Sequence, residues 1–95
     1  MKHYIIAKYN DTVKDKQELL PEIKALFDDA DKISGVHGVK IYPSVTDRPN
    51  RYDIMIELDM DPEALPAWDA SEVHKKWKAG YGKYLESKAI FDRAD

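Results

Sequence analysis

The stretch RYDIMIELDM, residues 51–60, alternates apolar and mostly acidic side chains with a period of two. Its apolar set consists of Tyr52, Ile54, Ile56, Leu58 and Met60. Successive side chains of a β-strand point to opposite faces of a sheet, so one face of this segment is predicted to be core and the other polar. The pattern therefore predicts a half-buried strand of an antiparallel sheet.

Three further strands are predicted around this one. GVKIYPSV, residues 38–45, is joined to it by the turn-rich TDRPN, which predicts a hairpin. AIFD, residues 89–92, predicts a last strand. HYIIAKY is aromatic and β-branched and predicts the first strand, one face of which carries His3, Ile5, Ala7 and Tyr9.

Helical periodicity fills the gaps between these strands. Apolar residues recur at three- and four-residue steps between residues 19 and 33, with Pro21 in the first turn and Gly35 as the C-terminal signal. Asp61 is predicted to cap a short helix. A longer helix is predicted to start at Ser71 and to run to about Leu85.

The resulting order, β-α-β-β-α-β, predicts an α+β protein of the ferredoxin-like type, with a four-stranded antiparallel sheet and helices on one side. The length of 95 residues allows one domain, residues 1–95. A net charge of −3 spread along the chain argues against a nucleic-acid partner. No apolar run approaches the ~20 residues of a membrane span, the N-terminal segment is too short and polar for a signal peptide, and there is no cysteine. These features predict a cytoplasmic protein.

The face of the sheet away from the helices is predicted to be neither well solvated nor a monomer's core. It would carry Tyr4, Ile6, Lys8, Lys40, Tyr42, Met55, Glu57 and Asp59. Cross-strand pairs on a solvated face are one interpretation. The favoured one is a homodimer whose sheets pack face to face, because a chain of this size buries only a small core alone.

DASEVHKKW, residues 69–77, places a histidine in the first turn of the last predicted helix. At about 100° per residue, His74 shares a stripe with the helix's large apolar residues. The helix dipole and burial both favour a neutral imidazole, which accepts a proton. His74 is therefore a candidate general base, and the alternative is a core histidine bonded to a backbone carbonyl.

The other polar candidates are weaker. His3 lies on the Ile5 face, which is assigned to the helix side, and His37 is predicted to be a solvated residue at a loop–strand junction. Three histidines without regular spacing predict no metal site, and no cofactor is expected. Two arginines, Arg48 and Arg51, with the nearby Asn50, either bind an anion or fix the hairpin loop by pairing with Asp47 or Asp53.

Taken together, KHYIIAKY, YPSVTDRPNRYDIMIELDM, WDASEVHKKW and KAIFD resemble the stress-responsive dimeric α/β-barrel (Dabb) family over nearly the whole chain. The resemblance implies a ferredoxin-like protomer that dimerises sheet to sheet, with a cavity between sheet and helices in each protomer. Besides the two histidines, that cavity would be lined by Trp68, Trp77, Tyr81, Ile5, Ala7, Ile54 and Ile56.

One enzyme of this family, a plant polyketide cyclase, carries a histidine base that matches His74 and an early-strand histidine that matches His3. The tyrosine that partners its base falls at Trp68, and a further pocket histidine falls at Ile54. The resemblance thus implies a pocket with tentative catalytic roles for His74 and His3, whereas two of four polar pocket positions differ from the cyclase.

Three functions follow as hypotheses. The first is binding of a small apolar or aromatic carbonyl-bearing metabolite without chemistry, in a stress-related role. The second is a lyase, cyclase or isomerase in which His74 removes a proton next to a carbonyl, while Trp68 or His3 donates a hydrogen bond to the enolate oxygen. The third is a cofactor-free monooxygenase or haem-binding barrel, which no feature of the sequence favours.

Overall fold

The four strands form one antiparallel sheet in which the first and last strands are neighbours. The computed structural model describes residues 1–95. The sheet order is β2-β3-β1-β4, with β1 at Lys2–Tyr9, β2 at Val36–Pro43, β3 at Ile54–Met60 and β4 at Leu85–Arg93. Strands β2 and β4 are therefore the two edges.

Three helices pack on one side of the sheet: α1 (Leu20–Phe27), α2 (Leu65–Asp69) and α3 (Glu72–Tyr81). None of them is long and apolar enough to cross a membrane. Short 3-10 turns follow α1, precede α2 and follow α3, at Ala30–Lys32, Pro62–Ala64 and Gly82–Tyr84. The predicted ferredoxin-like α+β fold is confirmed.

The core lies between the helices and one face of the sheet, and strand alternation selects its members. Every second residue of β1 and of β3 is buried, so the two predicted faces of these strands are confirmed. Full burial of one such apolar side chain stabilises the fold by roughly 1.5–3 kcal/mol. The largest fully buried side chains are Trp68, Trp77, Phe27, Ile5, Ile23, Ile56, Leu58 and Met60.

The third strand is shorter than predicted, because the alternation breaks at Asp53. Tyr52, predicted on the core face, is 41% exposed, whereas Asp53, predicted on the outer face, is buried. The Asp53 carboxylate accepts hydrogen bonds from the backbone N–H of Tyr9 at 2.8 Å and from the Lys16 ammonium at 2.8 Å. These partners draw the side chain inward, so both predicted positions were wrong.

The predicted helix ends were also too late. The first helix ends at Phe27 rather than at Gly35. Asp28 and Asp29, which follow Phe27, place negative charge at the negative end of the helix dipole and so disfavour its continuation. The last helix ends at Tyr81 rather than near Leu85, in a stretch weakened by its two glycines.

Two smaller predictions need correction as well. Asp61 occupies the predicted N-cap position, but its side chain makes no capping hydrogen bond and instead bonds to Nε2 of His37 at 2.9 Å. Strand β4 spans nine residues instead of the four of AIFD. Its first half, LESK, is polar after Leu85 and lies at a sheet edge, so it carries no apolar alternation from which a strand could be predicted.

Candidate functional site

An open cleft of about 340 Å³ lies between the helix side of β4 and the two helices α2 and α3. It exists because β4 is an edge strand that the helices leave partly uncovered, as the 50% exposure of Ile90 shows. The cleft is lined by apolar groups (Ile5, Leu65, Trp68, Trp77, Ile90) and by polar ones (His3, Asp69, His74, Lys78, Lys88, Asp92).

The start of α3 holds His74 at the wall of the cleft. Ser71 caps the helix, since its Oγ accepts from the backbone N–H of His74 at 3.1 Å and donates to the carbonyl of Trp68 at 2.7 Å. The Nδ1 atom of His74 lies 2.9 Å from the carbonyl oxygen of Asp69. Because a carbonyl only accepts, Nδ1 carries the hydrogen, and the neutral ring keeps the lone pair of Nε2. The half-buried imidazole therefore presents an acceptor nitrogen beyond its own structural bond.

His3 reaches the same cleft from β1 and is 5% exposed. Its Nδ1 atom lies 2.5 Å from Oδ1 of Asp92, the residue directly opposite it on β4. A carboxylate likewise only accepts, so the pair places the hydrogen on Nδ1, and the neutral ring keeps the lone pair of Nε2. The two strands thus build a histidine–carboxylate pair beside the α3 histidine.

Trp68 lies between the two histidines and forms the floor of the cleft. Its ring centroid is 6.4 Å from that of His3 and 5.1 Å from that of His74. The side chain is 1% exposed, and its indole N–H donates to no protein acceptor. Every fully buried polar side-chain atom of the protein has a partner, so this N–H is not fully buried, and the indole ring that carries it lines the cleft. The three groups together offer two acceptor nitrogens and one donor on an aromatic floor.

The structure brings together only part of the pocket inferred from the sequence. Ile5, Trp68 and Trp77 line the cleft with the two histidines, and Tyr81 stacks on Trp77 at 5.7 Å without lining it. Three predicted lining residues lie elsewhere: Ala7 and Ile56 in the core, and Ile54 beside a separate polar cavity.

Sequence reasoning missed every contribution of β4 to the cleft. Lys88, Ile90 and Asp92 alternate along this strand and all point to the helix side. A nine-residue strand paired with β1 would have placed Asp92 opposite His3, but the short AIFD segment left that pairing open.

The separate cavity, of about 330 Å³, is built around a lysine rather than around the arginines of the hairpin loop. Lys16 bonds to Asp47 at 2.7 Å and to Asp53 at 2.8 Å, which raises the pKa of Lys16 and lowers that of Asp47. Neither Arg48 nor Arg51 pairs with these carboxylates. This cluster ties the loop after β1 to the hairpin.

The fold matches solved structures of ferredoxin-like proteins over almost the whole chain. A dimeric ferredoxin-like protein of unknown function from Thermobifida fusca superimposes with a TM-score of 0.83 at 16% identity, covering 99% of this chain and 89% of that one. A Dabb family protein with a ferredoxin-like fold from Mesorhizobium loti gives 0.64 at 15% identity, covering 99% and 94%. The Dabb resemblance expected from the sequence is thus confirmed as a shared fold.

A third match is described as a putative antibiotic biosynthesis monooxygenase, from Bacteroides thetaiotaomicron. It gives a TM-score of 0.72 at 18% identity and covers 100% of this chain and 88% of that one. At these identities the matches establish the fold and not a reaction. No family model matches the chain, and no curated protein matches it.

Proposed function

We propose that the protein binds a small apolar or aromatic metabolite that carries a carbonyl group, in the cleft beside His3, His74 and Trp68. The observation that carries the proposal is the convergence of these three polar groups on an otherwise aromatic floor. Ligand sites typically combine an apolar lining with a few polar groups that orient the ligand. The indole N–H is a donor without an acceptor, and a ligand carbonyl supplies that acceptor.

Binding is testable at the donor itself. The chain has two tryptophans, so a ¹H–¹⁵N spectrum contains two indole N–H signals, and Trp68→Phe identifies the signal of Trp68. Titration with 4-phenyl-2-butanone is expected to shift the Trp68 signal more than titration with butylbenzene, which has the same apolar body without a carbonyl. Equal shifts for the two compounds, or a shift at Trp77 alone, would contradict the proposal.

A second function is favoured by one specific contact, the bond from Nδ1 of His74 to the Asp69 carbonyl. It orients the ring and leaves Nε2 as a general base that can remove a proton next to the bound carbonyl. The proton moves from carbon to Nε2, the electron pair forms the enolate, and the Trp68 N–H stabilises the enolate oxygen. Return of the proton to carbon completes an isomerase-type cycle.

Proton exchange at carbon tests this role without knowledge of the natural substrate. In D₂O the protein is expected to accelerate deuterium incorporation next to the carbonyl of 4-phenyl-2-butanone, measured by ¹H NMR. His74→Gln is expected to abolish the acceleration, whereas His37→Gln, at the histidine outside the cleft, serves as the matched control. Exchange that survives in His74→Gln removes the base role from His74.

The other reactions considered from the sequence have less support. The cyclase pattern has Trp68 in place of a tyrosine and Ile54 in place of a histidine, and Ile54 lies outside this cleft. The monooxygenase or haem-binding alternative has no contact in its favour. A stress-related role and a cytoplasmic location stay predictions.

We also propose that the protein is a homodimer through the open face of the sheet. Tyr42 and Phe91 are 42% and 60% exposed there, and Ile6 and Met55 lie side by side between them. Polar pairs frame this apolar centre: Lys2 bonds to Asp59 at 3.1 Å, and Tyr4 to Glu57 at 3.0 Å. The description of the Thermobifida fusca protein as dimeric supports a homodimer.

Light scattering coupled to size exclusion tests the dimer. The wild-type protein is expected to elute with twice the mass of one chain, and Ile6→Lys with the mass of one chain. Val45→Lys places the same charge on a fully exposed loop residue and is expected to stay dimeric. A monomeric wild-type protein at micromolar concentration would contradict the proposal.

A further inference from the structure

Two lysines face each other across the cleft without a carboxylate partner. Lys78 lies on α3, one turn after His74, and Lys88 lies on β4, opposite Ala7 of β1. Neither ammonium takes part in an ion pair or hydrogen bond. Other exposed lysines, such as Lys76, also lack a partner, but Lys78 and Lys88 are the two lysines that line the cleft. Two unpaired cations on opposite walls of one cleft favour an anion between them.

The same two lysines also line an adjoining hollow of about 270 Å³ further along α3 and β4. Its other lining residues are Trp77, Gly82, Leu85 and Ser87, so it contains no acidic side chain. The histidine cleft, in contrast, contains Asp69 and Asp92, and Asp92 is engaged by His3. The two hollows share Trp77, Lys78 and Lys88. Because the adjoining hollow contains no carboxylate, the positive charge of the two lysines is not neutralised on that side.

We propose that this groove selects ligands bearing a carboxylate, held between Lys78 and Lys88 over Trp77, with the apolar carbonyl-bearing body among the histidines. The inference rests on the proposed function, because it uses the same cleft for the body of the ligand. A carboxylate fits this groove better than a phosphate ester. Phosphate sites typically use arginine or a nest of backbone N–H groups. This groove contains no arginine, and its positive charge comes from two lysines on opposite walls.

The ligand class that follows is a small oxo acid with an aromatic or branched apolar group. Its carboxylate lies at the lysines, and its ketone lies at the Trp68 N–H. This arrangement orients the ligand along the groove, so that the carbon next to the ketone faces the α3 histidine.

The test compares 3-benzoylpropanoate with its neutral amide, 3-benzoylpropanamide, by NMR titration of the ¹⁵N-labelled protein. The wild-type protein is expected to bind the acid more tightly, and added salt is expected to reduce the difference. Lys78→Met and Lys88→Met are each expected to weaken acid binding by roughly three- to fivefold and to weaken amide binding by a smaller factor. Lys75→Met removes an exposed lysine of the same helix that does not line the groove, and is the matched control.

Equal affinity of the wild-type protein for acid and amide would overturn the carboxylate site, and so would an equal loss in Lys75→Met. The outcome is separable from the proposed function. If the wild-type protein does not accelerate deuterium exchange, but both it and His74→Gln prefer the acid to the amide, the base role of His74 fails and the carboxylate site stands. If the amide and the acid bind equally at the Trp68 N–H, the carbonyl cleft stands and the carboxylate site fails.

Discussion

Oδ1 of Asp92 lies 2.5 Å from Nδ1 of His3, although 89 positions separate the two residues in the chain. They are direct partners in the pairing of β1 with β4. The contact therefore has two effects. It fastens the edge strand to the sheet at the rim of the cleft, and it fixes the orientation of a buried imidazole that lines the site.

Replacing Asp92 by alanine is expected to leave Nδ1 of His3 without its acceptor. A buried polar atom that loses its partner costs about 1–3 kcal/mol. The free energy of unfolding, measured by urea denaturation, should fall by that amount. Glu86→Ala removes an exposed carboxylate from the same strand and should leave the midpoint unchanged, so equal effects of the two substitutions would speak against a structural role for the His3–Asp92 pair.

The cap of α3 gives a second prediction. Ser71→Ala removes the acceptor for the His74 N–H and the donor to the Trp68 carbonyl, and loss of an N-cap costs about 1 kcal/mol. Thermal and urea denaturation should both report a loss of stability. Ser34→Ala, at an exposed serine outside any helix, is the control and should behave as the wild-type protein does.

Gly35 gives a third prediction, because its backbone has φ = +86°. A Cβ atom at this position would lie 2.7 Å from the Cβ of Ala64. Gly35→Ala therefore combines an unfavourable backbone conformation, about 1–2 kcal/mol, with a collision that must displace the turn before α2. Gly38→Ala meets no atom within 4 Å and should be neutral or slightly stabilising. Unfolding midpoints that do not separate the two variants would contradict this account of Gly35.

The fourth prediction concerns alkaline pH. Burial, with the nearby Asp53 carboxylate, raises the pKa of Tyr9 from 10.0 to about 12. The folded protein therefore holds a proton that the unfolded chain releases above pH 10, so this contribution to stability is complete below pH 10 and is lost as the pH rises towards 12. Tyr9→Phe cannot lose this proton. Between pH 9 and pH 12 its stability should fall less steeply than that of the wild-type protein, and parallel curves would refute the contribution of Tyr9.

Much of the fold could be predicted from local patterns. The alternation of apolar and polar residues in β1 and β3 predicted one buried and one open face for each strand. The Ser71 cap was predicted from a serine that precedes an apolar helical stripe. The ends of strands and helices were harder to predict where tertiary contacts outweigh local propensity. Asp53 turns inward because of Lys16 and the Tyr9 backbone, which no local pattern contains.

The candidate site was predictable on its helix side only. The position of His74 follows from helical spacing, and its bond to the Asp69 carbonyl was the stated alternative to a free base. The β4 wall could not be predicted, because an edge strand with Glu86, Ser87 and Lys88 in its first half has no periodic signal. The pairing of His3 with Asp92 depends on which strands become neighbours, and that is decided by the whole topology.

The alternation of side chains along the eight residues of β1 assigns ligand contact and self-association to different residues of the same strand. Odd positions such as His3 and Ile5 face the helices and the cleft, and even positions such as Tyr4 and Ile6 face the opposite side. Substitutions can therefore alter ligand preference and self-association independently during evolution. Insertion or deletion of one residue would exchange both sets at once. Length changes should accordingly be tolerated in the loops that flank β1 and eliminated within it.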